Sequence, residues 1–141
     1  MVEPVYPNEA LLEKVQEAIE GNYADANFGV EELAREIGIS RAQLYRRLHS
    51  LTGKAANQMI KEFRLKKAFE LLQLRASTIS EIAYQVGFSS PSYFNTCFRE
   101  YFGYPPGKIK PGPPVRTKKK FFKSRIASYI SLATAFAAVL V

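Results

Sequence analysis

Residues 30–40 read VEELAREIGIS and residues 79–89 read ISEIAYQVGFS, and the likeness of these two stretches decides the fold. At an offset of 49, Glu32 meets Glu81, Leu33 meets Ile82, Ala34 meets Ala83, Ile37 meets Val86, Gly38 meets Gly87 and Ser40 meets Ser89. One extra residue near Ser90-Pro91 moves the offset to 50, and Leu44 then meets Phe94, Leu48 meets Phe98, Leu51 meets Tyr101 and Gly53 meets Gly103. Two copies of one supersecondary unit explain this most economically, since solenoid arrays need at least about three repeats to stand.

Each copy carries the parts of a helix-turn-helix. A short amphipathic helix (Val30 to Ile37, Ile79 to Val86) runs into a glycine, where the chain can turn left-handed with no Cβ clash. One apolar residue, Ile39 or Phe88, tucks into the turn, and Ser40 or Ser89 offers a hydroxyl to cap the next helix. Small Ala34 and Ala83 stand where the paired helices cross. Between the units, residues 56–74 form a helical run in which Ile60, Phe63, Leu65, Ala68, Phe69, Leu71 and Leu72 are spaced for burial. This is the connecting helix, and Ser77-Thr78 then caps the second unit. Upstream, Leu11, Leu12, Val15, Ala18 and Ile19 mark a scaffold helix, capped by Asn8 and ended by Gly21-Asn22. The fold class expected is all-α: two helix-turn-helix subdomains of homeodomain-like kind on a long central helix, followed by a basic and apolar tail helix.

Stepping about 100° per residue divides the second helix of each unit into faces. Leu44, Leu48 and Leu51 share the buried stripe; Ala42, Arg46 and His49 oppose it, with Tyr45 on the flank. In the second unit Phe94, Phe98 and Tyr101 form the stripe, while Ser92, Thr96 and Arg99 face away beside Asn95. Such an outward face suits major-groove reading: Arg46 can bond guanine O6 and N7, and Asn95 adenine N6 and N7. Arg41, Arg47, Arg64, Lys66, Lys67 and Arg99, with Ser40 and Ser89, are expected at phosphates, which position a protein without reading sequence.

Charge agrees once it is divided. Residues 1–36 carry a net −7, residues 37–107 a net +6 and residues 108–141 a net +8, within a total of +7. The middle segment is basic in its own right, as a phosphate-facing surface requires. One cysteine, Cys97, forms no internal disulfide, and one histidine, His49, leaves no zinc cluster. With no Ser/His/Asp set and no phosphate-cradling glycine loop, catalysis is not expected, and no cofactor is. A module that keeps the fold but docks its helices on a protein is the alternative; the basic outward faces argue against it.

The stretches LAREIGISRAQLYRRLHSLTG, IKEFRLKKAFELL and ISEIAYQVGFSSPSYFNTCFREYFGYPP make residues 28–110 resemble the DNA-binding domain of the AraC/XylS family. The resemblance covers 83 of 141 residues, and the GF turn with the FREYFGYPP ending is its most specific part. It implies seven helices, one recognition helix per unit, and insertion into successive major-groove segments on one side of the duplex. It also implies that Ala42, Tyr45, Arg46, Ser92, Asn95 and Thr96 occupy base-contacting positions. Two departures stand out. Ala55-Ala56 replaces the family's usual Ser-Pro and weakens that helix cap, and Ala42 is too small for more than an apolar contact with a thymine methyl.

Double-stranded DNA is therefore the expected partner, RNA polymerase a further candidate, and a membrane a third through residues 126–141. After Gly103 come Pro105, Pro106, Pro111, Pro113 and Pro114, read as an extended linker through residues 111–125. Arg116, Lys118, Lys119, Lys120, Lys123 and Arg125 then precede sixteen uncharged residues, Ile126 to Val141. A basic flank before an apolar run follows the positive-inside pattern and would leave the DNA-binding part in the cytoplasm. Sixteen residues reach about 24 Å as a helix, against a hydrocarbon core of about 30 Å. The readings are a short anchor, a chain cut within a transmembrane helix, or a tail helix that packs on a partner.

Overall fold

The computed structural model describes residues 7–112. Among them the chain is all-helical: α1 Asn8–Asn22, α2 Val30–Ile37, α3 Arg41–Thr52, α4 Ala56–Leu74, α5 Ile79–Gln85 and α6 Pro91–Phe102, then a 3-10 turn at Pro106–Lys108.

The repeat is written into the backbone hydrogen bonds. Ile39 N–H donates to Ala34 O at 3.2 Å, and Phe88 N–H donates to the equivalent Ala83 O at 3.0 Å. Both bonds close over a left-handed glycine, Gly38 at φ 83° and Gly87 at φ 92°. That geometry satisfies carbonyls the helix end would otherwise strand. At the start of α5, Thr78 Oγ1 accepts from Glu81 N–H while the Glu81 carboxylate accepts from Thr78 N–H, both at 3.2 Å. In α2 only half of this box exists, because the cap is Gly29: its N–H donates to Glu32 Oε2 at 2.9 Å.

One expectation fails at the second turn. Ser40 does cap α3, its Oγ accepting from Gln43 N–H, but α6 is capped by Ser90, whose Oγ accepts from Tyr93 N–H at 3.1 Å. The extra residue of the second copy thus falls before the cap and leaves Ser89 exposed in the turn. Pro91 sets the register: lacking an N–H, it suits the first helical position, so the residue ahead of it becomes the cap.

Two separate cores form, and α4 belongs to both. Its first half gives Ala56, Met59 and Ile60 to a core with α1, Phe28, α2 and α3. Its second half gives Leu65, Ala68 and Leu72 to a core with α5, α6 and Ile109. The connecting helix has the predicted bounds, and Ala55 precedes it with no side-chain cap bond. Rings line the second core, Phe88 on Phe94 at 5.2 Å, Phe94 on Phe98 at 5.6 Å and Phe98 on Phe102 at 4.5 Å.

That chain of rings corrects the predicted stripe. Tyr101 is 40% exposed, and the half-buried Phe102 packs on the core instead, against Phe69 at 5.1 Å. The stripe steps four residues from Phe98, not three. The N-terminal helix also departs from expectation. Asn8 is its first helical residue rather than its cap, and Gly21-Asn22 stay helical. Asn22 Nδ2 donates to Ala18 O at 2.8 Å and to Glu36 Oε2 at 2.9 Å, anchoring this end where glycine alone would loosen it. The segment after Gly103 is not extended throughout: it turns at Pro106–Lys108 and buries Pro106 and Ile109. The predicted tail helix and nearly all of the linker fall at 113–141, outside the described residues. No described helix is long and apolar enough to cross a membrane.

Candidate nucleic-acid interface

Helix α3 is seated by Leu44 and Leu48, both fully buried, and α6 by Phe94 and Phe98, likewise fully buried. Fixing these stripes fixes what the opposite faces show. On α3, Ala42, Tyr45, Arg46 and His49 are exposed, Tyr45 by 55%. Tyr45 and His49 stack one turn apart, centroids 5.8 Å and planes 24° apart, which stiffens the flank of the face. On α6, Ser92, Thr96 and Arg99 are exposed, and the Thr96 hydroxyl donates to Ser92 O at 3.2 Å.

Asn95 is half-buried, and its Oδ1 is enclosed with no hydrogen-bond partner. An acceptor stranded in this way costs about 1–3 kcal/mol. A bidentate contact with adenine needs both ends of the amide at the base edge, so it requires the side chain to rotate outward, relieving that cost. Tyr93 is exposed beside the α6 cap. Its phenol pKa is pushed up, first by the hydrogen bond with the Cys97 thiol. Cys97 itself is buried in the second core, as a small apolar group would be.

The predicted phosphate contacts separate into exposed and half-buried groups. Ser40, Arg41, Lys66, Ser89 and Arg99 are exposed. Arg41 lies 3.3 Å from Glu31, in a pair about two-thirds exposed that solvent screens. Arg47 is half-buried and donates to Asn8 Oδ1 at 3.3 Å, and Lys67 meets Glu70 at 3.4 Å with its ammonium 5.8 Å from the Phe63 ring centroid.

Arg64 is placed quite differently. Its Nε donates to Tyr23 O at 2.9 Å, and one terminal nitrogen donates to Asp25 O at 2.8 Å and Phe28 O at 3.0 Å. Burial lowers its pKa, a shift opposed by the Asp25 charge. Nε and one terminal nitrogen of this guanidinium thus serve carbonyls, a set of partners that the expected phosphate contact did not include. A helical wheel could not reveal this, because the carbonyls come from a loop some forty residues earlier. Beside Arg64, a groove of about 590 Å³ runs between α4 and α6, with Ala26, Lys61, Ser89 and Tyr101 on its walls. Among the described residues, no cluster of His, Cys, Asp or Glu is able to hold a metal.

Comparison with known proteins agrees with this geometry. Residues 33–111 match the model of a helix-turn-helix domain family. A histidine kinase, P4 of Formosa agariphila, is 40% identical over 103 residues, which are 73% of this chain but 8% of that protein. The chain spans 29% to 63% of the length of several other curated relatives, which are helix-turn-helix transcriptional regulators. Among solved structures, an AraC-type transcriptional regulator of Chromobacterium violaceum superposes with a TM-score of 0.65 at 28% identity, over 70% of this chain and 87% of that one. The DNA-binding domain of AdpA, a global transcriptional factor solved with a target DNA, gives 0.63 at 35% identity, over 69% and 86%. A doubled helix-turn-helix on a shared central helix, with a matching family model and AraC-type neighbours, places the chain in the family of AraC-type helix-turn-helix domains.

Proposed function

We propose that this chain reads specific double-stranded DNA sequences through the outward faces of α3 and α6. Arg46 is the guanine reader of the first unit, with Tyr45 beside it and Ala42 against a thymine methyl. Asn95 is the adenine reader of the second, with Ser92 and Thr96. Ser40, Arg41, Arg47, Lys66, Lys67, Ser89 and Arg99 set orientation through phosphates. The observation that supports this best is the pair of seated helices. Each is N-capped by a serine and held by fully buried side chains, with a polar face turned outward.

The test is selection of bound duplexes from a random pool, repeated with Arg46→Ala and Asn95→Ala. Each substitution is expected to relax one position of the selected sequence, the two positions lying in different halves of the site. Each should cost about 1–3 kcal/mol against the preferred base. Selection that yields no common sequence, or variants that leave it unchanged, would count against the assignment.

Attachment to a membrane through residues 126–141 is supported by the sequence alone, six basic residues at 116–125 ahead of sixteen uncharged ones. Fractionation of the chain with and without residues 115–141 decides it: loss of membrane association on removal supports the anchor, and equal partition refutes it.

A further inference from the structure

The two cores meet beside Tyr23 and Arg64. Arg64 leaves α4 between Phe63, the last α4 residue packed on the first core, and Leu65, the first buried in the second. Its guanidinium gathers the carbonyls of Tyr23, Asp25 and Phe28, in the loop between α1 and α2 that leads into the first unit. The Tyr23 ring packs against both cores and lies 5.3 Å from Phe63.

The same carbonyl meets the second unit from the other side. A Cβ built on Gly87, in the turn between α5 and α6, would lie 2.1 Å from Tyr23 O and 2.8 Å from Arg64 Nε. The turn of the second unit thus rests directly on the bond that Arg64 makes to the loop of the first. A change in angle between the units must break that bond or pull the turn off it.

We propose that Arg64 is a positioning residue that locks the first-unit loop against the Gly87 turn, so that the two recognition helices accept a bipartite DNA site at one spacing. The inference rests on the DNA-reading function proposed above. One inserted base pair rotates the second half-site by about 34° and advances it by about 3.4 Å, which a locked pair of helices cannot follow. A pair joined only by α4 and apolar contact can follow part of it.

Two measurements on the full chain test the lock. The first needs no DNA: spin labels at Ser50→Cys on α3 and Glu100→Cys on α6, in a Cys97→Ala background, report the distribution of distances between the units. The expected result is a narrow distribution for Arg64 and one at least twofold wider for Arg64→Ala. Arg64→Lys, which keeps charge and stem but can serve fewer of the three carbonyls, should fall between; it decides the matter if the alanine variant does not fold. The second is affinity for the selected duplex with one to five base pairs inserted or removed between its halves. The chain with Arg64 should lose at least about a hundredfold at the worst spacing and Arg64→Ala about tenfold or less. An unchanged distance distribution, or an unchanged spacing profile, overturns the proposal. So does an even loss on every duplex with a shallower salt dependence, which would return Arg64 to a phosphate. If the unsubstituted chain binds no duplex, the DNA reading fails, while the distance measurement still judges the lock.

Discussion

Three of the four left-handed glycines among the described residues stand in different surroundings, and alanine at each separates backbone strain from collision. Gly53, Gly87 and Gly103 have φ of 69°, 92° and 84°. A Cβ at Gly53 or Gly103 meets nothing within 4 Å, whereas at Gly87 it lies 2.1 Å from a backbone oxygen. A left-handed L-residue costs about 1–2 kcal/mol, part of which is returned because alanine narrows the unfolded ensemble. Gly53→Ala and Gly103→Ala should therefore each cost about 1 kcal/mol.

Gly87→Ala carries the same backbone cost and two more. Tyr23 O must retreat by at least about 1.3 Å to reach an ordinary contact, and overpacking of this kind costs about 1–3 kcal/mol. That retreat breaks the bond from Arg64, and a hydrogen bond to a charged group is worth about 1.5–3 kcal/mol. The total is about 4 kcal/mol or more, a large part of the 5–15 kcal/mol that hold a domain of this size together. Urea unfolding followed by far-UV circular dichroism reads all three variants. A Gly87→Ala unfolding free energy within about 1 kcal/mol of that of Gly53→Ala would refute the packing described at this joint.

Other perturbations probe separate parts of the molecule. Ala55→Ser supplies the hydroxyl that α4 lacks at its N-cap and should add about 0.5–1 kcal/mol, read by the same unfolding assay; a loss would mean that residue 55 does not act as the cap. Phe98→Ala removes a fully buried ring that touches Phe94 and Phe102 and should cost about 3–5 kcal/mol; a cost under about 1 would show that the second core is not packed around it. The Glu32 carboxylate is held below its ordinary pKa, first by its own backbone N–H and then by that of Gly29. Its contribution is therefore present above the unfolded-state pKa and is lost as pH falls through the lower folded value. Glu32→Gln should narrow the difference in stability between pH 7 and pH 3; an unchanged difference would remove Glu32 from the cap.

Much of this was legible because it is local. Glycine and serine at matched offsets, and apolar residues every three or four positions, fixed the two turns, the buried sides of α3 and α6 and the bounds of α4. What escaped depends on contacts between distant segments. Arg64 looked like one more cation on a basic helix, and only the loop at residues 23–28, folded back on it, makes it a half-buried residue with carbonyl partners. Tyr101 matched Leu51 in the repeat, yet the ring chain of the second core continues through Phe102. Ser89 matched Ser40, and the extra residue beside it passed the capping role to Ser90. Pro91 was the signal that could have located that cap. The N-terminal helix overran Gly21 because Asn22 finds carbonyl and carboxylate partners at its far end.

The most direct test of the central claim is the affinity of the chain for a duplex as salt rises from 50 to 200 mM. Two faces that together neutralise about six phosphates predict a fall of about a thousandfold and a log–log slope near −5. Affinity that ignores salt, or no measurable binding to duplex at 50 mM, would contradict the claim that these two helices present their polar faces to DNA.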